Sequence, residues 1–322
     1  EQYSAMAGAL AQLAGKLGQA GLPDPRREEK VAQLFAGLGL DALECSVTSD
    51  LAGRLTAAVT IARTRFTEEE IKALTAEVSR ICRRDMDLPE VTHCRTATML
   101  TFGERPLFTA TFGTAGRPAK GQNVSGDALD CFCDTSGRAQ LLLCDGMGTG
   151  RPAAVDGNLA AELTARLLKA GFTAELAARL VNVALALKSE DESGATLDLI
   201  SVDLYTGTAR LFKAGAAPGF LVHGGRVRAV GDTSLPVGIL GGVNGQSRVV
   251  HLTVGDYAVL VSDGLLVDGP GWVAKQLELS TAAGDAPEKV AKTLVETARV
   301  RAQKTGRPDD ITAAVLRLEK CV

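Results

Sequence analysis

The order of short apolar segments after Pro106 constrains the fold of this chain more than any other feature. Short runs of β-branched and aliphatic residues, separated by turn residues, predict strands. One long helical interval, with leucines at helical spacing from Leu159 to Leu187, interrupts them. A further helix is predicted over residues 286–304, and the strand ITAAVLRL follows it. Because strict strand–helix alternation is missing, this order favours an α+β fold of antiparallel sheets flanked by helices.

The first residues predict a separate helix with an apolar seam. The seam residues follow one another at spacings of four, three and four: Met6, Leu10, Leu13 and Leu17. Two interpretations stay open at this point. The helix either packs on its own domain or serves as a mobile linker or dimer helix. Pro23 and Pro25 end it, because proline cannot continue a helix.

The chain therefore predicts three parts. Residues 1–30 form a linker helix, residues 31–104 form a small α+β module, and residues 105–322 form the main domain. The module contains helix patterns and strand patterns, among them VTHCRTATMLTF as one strand, but no residues with a catalytic pattern. We expect any chemistry to lie in the main domain.

Composition excludes some functions and cellular settings. A formal net charge of -3 offers no broad basic surface, so nucleic acid is not expected as a partner. Seven cysteines without a C-x-x-C pair suggest free thiols in a reducing cytoplasm. No apolar run approaches the roughly 18 residues that a membrane span requires. Because the sequence begins at Glu1 and not at methionine, we expect a fragment of a longer protein, and the free thiols suggest that this fragment is cytoplasmic.

The glycine-rich stretch CDGMGTGR fails three familiar phosphate-binding patterns. A dinucleotide-binding fingerprint requires glycine where Arg151 stands, and a nucleotidase phosphate loop requires lysine followed by serine or threonine. The tyrosine-phosphatase pattern places arginine six positions after the cysteine, but Arg151 lies seven positions after Cys144. Cys144 alternates with inward-facing leucines, which predicts a buried, unreactive thiol.

Aspartates stand at the ends of hydrophobic strands that are far apart in the sequence. LLLCD ends at Asp145 and YAVLVSD ends at Asp263, and a glycine follows each. Asp309 and Asp310 come directly before ITAAVLRL, and Asp127 comes directly before ALDCFC. Any single Asp-Gly pair fits an ordinary turn. As a set, carboxylates at strand ends would be costly to hold without a cation, so they predict a metal site.

The ligand types restrict the choice of metal. The aspartate segments contain no histidine, and Mg²⁺ and Mn²⁺ prefer carboxylate, carbonyl and water oxygens, whereas zinc favours imidazole or thiolate. Glycine after Asp145 and Asp263 would let the backbone turn and bring a carbonyl close to an ion. Two ions bridged by an aspartate can activate water for displacement at phosphorus. That chemistry suits a sequence without a recognisable pair of nucleophile and base.

A series of motifs in the main domain resembles the metal-dependent serine/threonine phosphatases, the protein phosphatase 2C-type (PPM) superfamily. Within it, the motifs and their order resemble the stage II sporulation protein E family. They are SGD, LLLCDGMGTG, SGATLDLISVDLYTG, LFKAGAAPGF, SLPVGIL, SDG and PDDIT. The resemblance covers Pro106 to the end and implies an α-β-β-α sandwich there. Residues 1–104 are similar only in general layout to the family's regulatory region and linker.

The resemblance implies roles for individual residues. Asp145 would bridge two ions, and Gly146 would offer its carbonyl oxygen. Asp263 and Asp309 would bind the second ion, and Asp127 would hold ligand water. The implied catalytic residues are Asp145, Asp263 and Asp309.

Two positions differ from eukaryotic relatives. Asp310 stands where those relatives have asparagine, and it is expected to support the ligands without binding an ion. Met147 stands where they have a histidine that is thought to protonate the leaving oxygen. The source of that proton is therefore open here, and a metal-bound water is the candidate.

The resemblance also implies a biological role. The chain would be a phosphatase dependent on two manganese ions, with magnesium as the alternative, and would act on a phosphoserine of an anti-anti-sigma factor. The reaction would release a sigma factor during sporulation. A homodimer or higher multimer, contact with the cell-division machinery, and attachment of the full-length protein to the membrane near the division septum are implied as well. The alternative is a phosphatase-like scaffold without turnover.

Overall fold

The structure, a computed structural model, divides into two compact units. It describes residues 2–17, 21–50, 52–63, 65–148, 150–188, 194–215, 217–231, 234–238, 246–305 and 309–321. The larger unit comprises Glu1–Leu10 and Pro106–Val322, and the smaller unit comprises Ala11–Arg105.

Helix α1 (Gln2–Leu17) starts in the larger unit. Ala5 is buried there, whereas Met6 is 60% exposed and Leu10 is 65% exposed. The helix therefore packs through a small side chain, and this half of the predicted apolar seam faces solvent. The other two seam side chains lie outside the described residues: Leu13 and Leu17.

After α1, the described part of the smaller unit is an antiparallel sheet with two helices. In chain order its elements are β1 (Leu22–Pro23), α2 (Pro25–Gly37), β2 (Ala42–Ser49), β3 (Leu55–Ile61), α3 (Glu68–Cys82), β4 (Glu90–His93) and β5 (Thr98–Gly103). The strand order is β1-β2-β3-β5-β4. Val31 and Phe35 of α2 and Val78 of α3 are buried in one core with Val59 and Phe102 of the sheet. This core explains the alternating apolar pattern of β3 and β5.

Two local predictions in the smaller unit were wrong in detail. VTHCRTATMLTF, predicted as one strand, is the hairpin of β4 and β5, because the Cys94 N–H donates to the Ala97 carbonyl and turns the chain. Pro25, predicted only to end the preceding helix, begins α2, and Asp24 accepts the N–H of Arg27 as its cap. Proline suits a first helical position because that N–H has no partner within the helix.

In its described residues the larger unit contains two antiparallel sheets. Its remaining elements are β6 (Phe108–Arg117), β7 (Asp127–Cys133), β8 (Arg138–Asp145), α4 (Gly150–Lys169), α5 (Ala174–Lys188), β9 (Leu197–Asp203), β10 (Thr208–Ala214), β11 (Gly219–His223), β12 (Arg226–Val230), β13 (Gln246–His251), β14 (Tyr257–Val261), a 3₁₀ turn (Asp263–Leu266), α6 (Gly271–Ala282), α7 (Pro287–Thr305) and β15 (Ile311–Lys320). The strand orders are β13-β10-β9-β8-β7 and β12-β11-β14-β15-β6.

The layers of the larger unit follow from which side chains are buried together. Leu142 and Leu199 of the first sheet pack with Ala160 of α4 and Val181 of α5. The opposite face of that sheet packs against the second sheet, and the outer face of the second sheet packs against α6 and α7. These contacts confirm the predicted α-β-β-α sandwich with antiparallel sheets.

Helix α6 was not predicted from the sequence. It follows the breakers of DGPG, and its buried side is narrow, consisting of Val273, Leu277 and Ser280. A helix with so few inward-facing residues gives a weak periodic signal. Among the helices that the structure describes, none has the length and apolar character needed to cross a bilayer.

A buried ion pair joins two neighbouring strands of the first sheet. Lys213 Nζ of β10 lies 2.6 Å from Asp198 Oδ2 of β9, and both side chains are 4% exposed. Burial raises the pKa of Asp198, and the Lys213 charge lowers it in part. Lys213→Met should lower the free energy of unfolding by about 3–5 kcal/mol, because it leaves a buried charge unpaired. Urea unfolding measures this loss.

The matched control for that variant removes both charges. Asp198→Leu combined with Lys213→Met should recover most of the loss, since apolar replacements of a buried pair are often neutral. A double variant as unstable as Lys213→Met alone would contradict this account of the pair.

Candidate functional site

The strand ends of the larger unit bring the predicted aspartates to one end of the sandwich. β7 begins at Asp127 and β8 ends at Asp145, and these two residues pair across the ladder. In the second sheet β14 and β15 are antiparallel neighbours, so the end of one lies beside the start of the other. Asp263 follows β14 closely, and Asp309 precedes β15.

Close approaches between these segments place them in one site. A β-carbon built on Gly264 would lie 2.9 Å from the Asp309 β-carbon. A β-carbon built on Gly126 would lie 3.3 Å from Asp310 Oδ2 and 3.5 Å from the Gly146 carbonyl oxygen. The residues that the structure brings together are Asp127, Asp145, Gly146, Asp263, Asp309 and Asp310. Their roles as metal ligands stay a prediction.

The carboxyl group of Asp145 has a more strongly raised pKa than that of Asp127. Burial raises its pKa to about 8, and four neighbouring negative charges add to the effect. In decreasing order they come from Asp127, Asp263, Asp309 and Asp310. Neighbouring negative charges disfavour ionisation of a carboxyl group, and such repulsion is expected where several carboxylates are arranged to bind a cation.

Asp127 is the second strongly perturbed carboxyl group. Burial raises its pKa to about 6, the hydroxyl groups of Thr312 and Ser262 lower it in part, and the charges of Asp310 and Asp263 raise it. Those hydroxyl groups lie close enough to favour the charged carboxylate, although neither meets the distance and angle of a hydrogen bond to it. Within the described part of the chain, neither oxygen of the Asp127 carboxylate has a hydrogen-bond partner, although both are buried.

The unpaired Asp127 carboxylate indicates that a divalent cation fits this site. A buried carboxylate without a partner is costly, and an oxygen-preferring ion would compensate it. In the segments that the structure describes, however, no three carboxylate, imidazole or thiolate groups are placed to hold one ion. Backbone carbonyls and water would have to complete the coordination, as Mg²⁺ and Mn²⁺ readily allow.

The glycines around Asp145 permit a close approach between the site and α4. A β-carbon on Gly146 would lie 1.9 Å from the Ala153 carbonyl oxygen, and one on Gly157 would lie 2.1 Å from the Gly126 carbonyl oxygen. Both distances are far too short for any side chain. Gly146 and Gly157 are therefore needed for α4 to pack directly on the backbone of the candidate ligands.

An open cleft of about 760 Å³ borders two of the aspartates. It is lined by Asp263, Gly264, Leu266, Val267, Asp268, Gly269 and Asp309. The 3₁₀ turn after β14 forms much of its wall. The cleft thus leads from solvent to the acidic end of the sandwich.

The histidines lie on elements that do not carry the aspartates. His93 is on β4 of the smaller unit, and His251 ends β13. His223 ends β11, and its Nδ1 lies 2.7 Å from Asp256 Oδ2. Met147, predicted to replace a histidine acid, is 43% exposed, and its N–H donates to the Gly194 carbonyl. Met147 offers no proton to transfer.

Sequence reasoning missed three contributors to the site. Ser262 and Thr312 place hydroxyl groups beside Asp127, and the loop 119–126 carries backbone N–H groups that Asp310 binds. Ser262 directly precedes Asp263, and Thr312 follows Asp310 by two positions. Their position within the SDG and PDDIT motifs was the available signal.

Comparison with known proteins identifies the family. A family model described as Stage II sporulation protein E (SpoIIE) matches residues 135–319, more than half of the chain. The chain belongs to the stage II sporulation protein E family. SpoIIE of Bacillus subtilis (strain 168) is 28% identical over 228 residues, which cover 68% of this chain and 27% of that protein. SpoIIE of Priestia megaterium is 27% identical over 228 residues, which cover 68% of this chain and 38% of that protein.

Solved structures agree with the predicted fold. The PP2C phosphatase domain of B. subtilis SpoIIE with a fragment of its regulatory domain has a TM-score of 0.72 and 23% identity, covering 99% of this chain and 94% of that one. The phosphatase domain of SpoIIE in a form without domain swapping has a TM-score of 0.52 and 25% identity, covering 68% and 96%. RsbX in complex with magnesium has a TM-score of 0.52 and 16% identity, covering 72% and 100%.

These comparisons confirm the predicted family and the PP2C-type phosphatase fold. The chain spans well under half of the length of the curated SpoIIE relatives.

Proposed function

We propose that this chain is a manganese-dependent protein-serine phosphatase whose substrate is a phosphoserine on an anti-anti-sigma factor. Its reaction would lead to release of a sigma factor during sporulation. The observation that carries the proposal is the buried Asp127 carboxylate, which lacks a hydrogen-bond partner among the described residues and pairs across the ladder with Asp145. Membership of the SpoIIE family supports the reaction class.

The proposed ligand set uses the residues that meet at the end of the sandwich. Asp145 would be the ligand shared by two ions, Gly146 would contribute its carbonyl oxygen, Asp263 and Asp309 would bind the second ion, and Asp127 would hold ligand water. When bound, the two ions supply a nucleophilic water at neutral pH and neutralise charge on the phosphoryl oxygens. Magnesium is the alternative metal, and the magnesium complex of RsbX supports that alternative.

The chain's own groups have supporting tasks in this proposal. The raised pKa of Asp145 means that the metal-free site retains a proton near neutral pH, which cation binding must displace. The Thr312 and Ser262 hydroxyl groups stabilise the charged form of Asp127. The open cleft beside Asp263 and Asp309 gives a phosphoserine on a protein surface access to the site.

A phosphate-release assay tests the proposal. The purified chain should release phosphate from a serine-phosphorylated anti-anti-sigma factor when Mn²⁺ is added, and EDTA should reduce the rate to background. Mg²⁺ in place of Mn²⁺ identifies the preferred ion, and the unphosphorylated factor is the blank. Binding of Mn²⁺ and of the factor without phosphate release would instead support a scaffold without turnover.

The role of the longer protein is part of the proposal. We place the full-length protein at the cell membrane near the division septum, in contact with the cell-division machinery and assembled as a homodimer or higher multimer. In this proposal residues 1–30 and 31–104 are the regulatory linker and the regulatory module, and residues 105–322 are the phosphatase domain. The exposed apolar residues Met6 and Leu10 of α1 offer a surface for self-association.

A further inference from the structure

Asp310 uses both of its carboxylate oxygens to hold a loop. The Ala119 N–H donates to Asp310 Oδ1 at 2.6 Å, and the Gly126 N–H donates to Asp310 Oδ2 at 2.5 Å. Hydrogen bonds from N–H groups to a charged carboxylate are stronger than those between neutral groups. The carboxylate therefore binds the two ends of the loop 119–126, one with each oxygen.

The loop 119–126 continues into the residues proposed to bind metal. Gly126 directly precedes Asp127, and its carbonyl accepts the Gly146 N–H at 3.2 Å. The Asp127 N–H donates to Ser125 Oγ at 3.1 Å. Fixing Gly126 therefore fixes the backbone of Asp127 and of Gly146 together.

The backbone of Asp310 holds the opposite side of the site. Its carbonyl accepts the Ser262 hydroxyl group at 3.2 Å. A β-carbon on Gly264 would lie 2.2 Å from that carbonyl, so the turn that carries Asp263 packs directly on it. Asp309 is the preceding residue, and one of its carboxylate oxygens accepts the Asp310 N–H. Asp310 thus contacts the segments that carry Asp127, Asp263 and Asp309 directly, and it reaches Gly146 through Gly126.

We propose that Asp310 is the positioning residue that holds the proposed ligand segments in register, without binding an ion itself. The inference rests on the proposed metal site. The side chain of Asp310 accepts hydrogen bonds from both ends of the loop before Asp127. Its main-chain carbonyl accepts a hydrogen bond from Ser262, next to the turn after β14. Residues that orient ligands commonly affect metal affinity by about 10–100-fold when they are replaced.

The test measures Mn²⁺ affinity by calorimetry and hydrogen exchange of the Ala119 and Gly126 amides by NMR. Asp310→Ala should weaken Mn²⁺ binding by about 10–100-fold and accelerate exchange of both amides. Asp310→Asn keeps one acceptor oxygen but presents a donor to the other N–H, so its effects should be intermediate. If Asp310→Ala does not fold, Asp310→Asn decides the outcome.

Asp134→Ala is the matched control. Asp134 also accepts two backbone N–H groups, from Ser136 at 2.9 Å and from Arg138 at 3.1 Å, but it does so in the hairpin between β7 and β8. This variant should bind Mn²⁺ as the unaltered chain does and leave the Ala119 and Gly126 amides protected.

Two results would overturn the proposal. In the first, both Asp310 variants bind Mn²⁺ with unchanged affinity. In the second, Asp310→Asn loses binding as completely as Asp309→Asn, which would make Asp310 a ligand. Neither readout depends on phosphate release. A chain that binds Mn²⁺ without turnover therefore contradicts the proposed function but leaves the test of Asp310 intact.

Discussion

Asp145→Asn is expected to abolish phosphate release and at the same time to stabilise the metal-free protein. Loss of the proposed bridging ligand should reduce the rate by about 10²–10³-fold, since single electrostatic groups in active sites contribute on that order. Without metal, however, the Asp145 charge is buried among other carboxylates, and its pKa is raised to about 8. Removing that charge should add about 1–3 kcal/mol to the free energy of unfolding near pH 8.

The sign of this effect depends on pH. The folded state keeps a proton on Asp145 that the unfolded state has lost above its ordinary pKa, so the stability contributed by this group falls between about pH 4 and about pH 8. The Asn variant has no ionisable group at this position, so its stability lacks this pH dependence. The two proteins should have similar stability near pH 4, and the gap should widen as the pH rises.

Urea unfolding in EDTA across this pH range measures the gap. Asp134→Asn, in a hairpin turn that does not carry the clustered acids, is the control and should show no widening. A metal-free Asp145→Asn protein that became less stable than the unaltered chain as the pH rose would mean that the acids do not repel one another.

Gly146→Ala is expected to have the second large effect, on folding. Its β-carbon would lie 1.9 Å from the Ala153 carbonyl oxygen, a backbone atom that cannot move aside as a side chain can. Overpacking of side chains alone typically costs about 1–3 kcal/mol, so we expect a loss of at least about 3 kcal/mol. Gly157→Ala, with 2.1 Å to the Gly126 carbonyl oxygen, should behave similarly.

Gly271→Ala is the matched control, because within the described residues a β-carbon there meets nothing within 4 Å. Its free energy of unfolding should change by no more than about 0.5 kcal/mol. Equal and small effects at Gly146 and Gly271 would show that α4 is not packed against the backbone of the site.

The layered fold was predictable because local patterns repeat throughout the larger unit. Each inward-facing strand has continuous or alternating apolar residues, and α4 and α5 present apolar faces to the first sheet. Elements with weaker sequence patterns were not predicted correctly. Helix α6 buries few residues, and the β4–β5 hairpin turns through Cys94–Ala97 without glycine or proline.

The candidate acids were predictable because each stands beside a strand in the sequence. Asp145 and Asp263 interrupt apolar runs, and Asp309 precedes one. The surroundings of those acids were not predictable in the same way. The Ser262 and Thr312 hydroxyl groups beside Asp127 and the packing of Gly157 on Gly126 depend on contacts between distant segments.

From residue order alone one can infer a two-sheet sandwich, its family and the acids at its strand ends, since strand ends and breakers are local features. Only the folded structure shows the pKa values of those acids, the packing of α4 on the site, and the hydrogen bonds that Asp310 accepts. Asp310 is separated by 191 and 184 residues from the amides that it binds. Burial and hydrogen bonding between such distant partners arise only when the two sheets pack, because no local pattern encodes which surfaces meet.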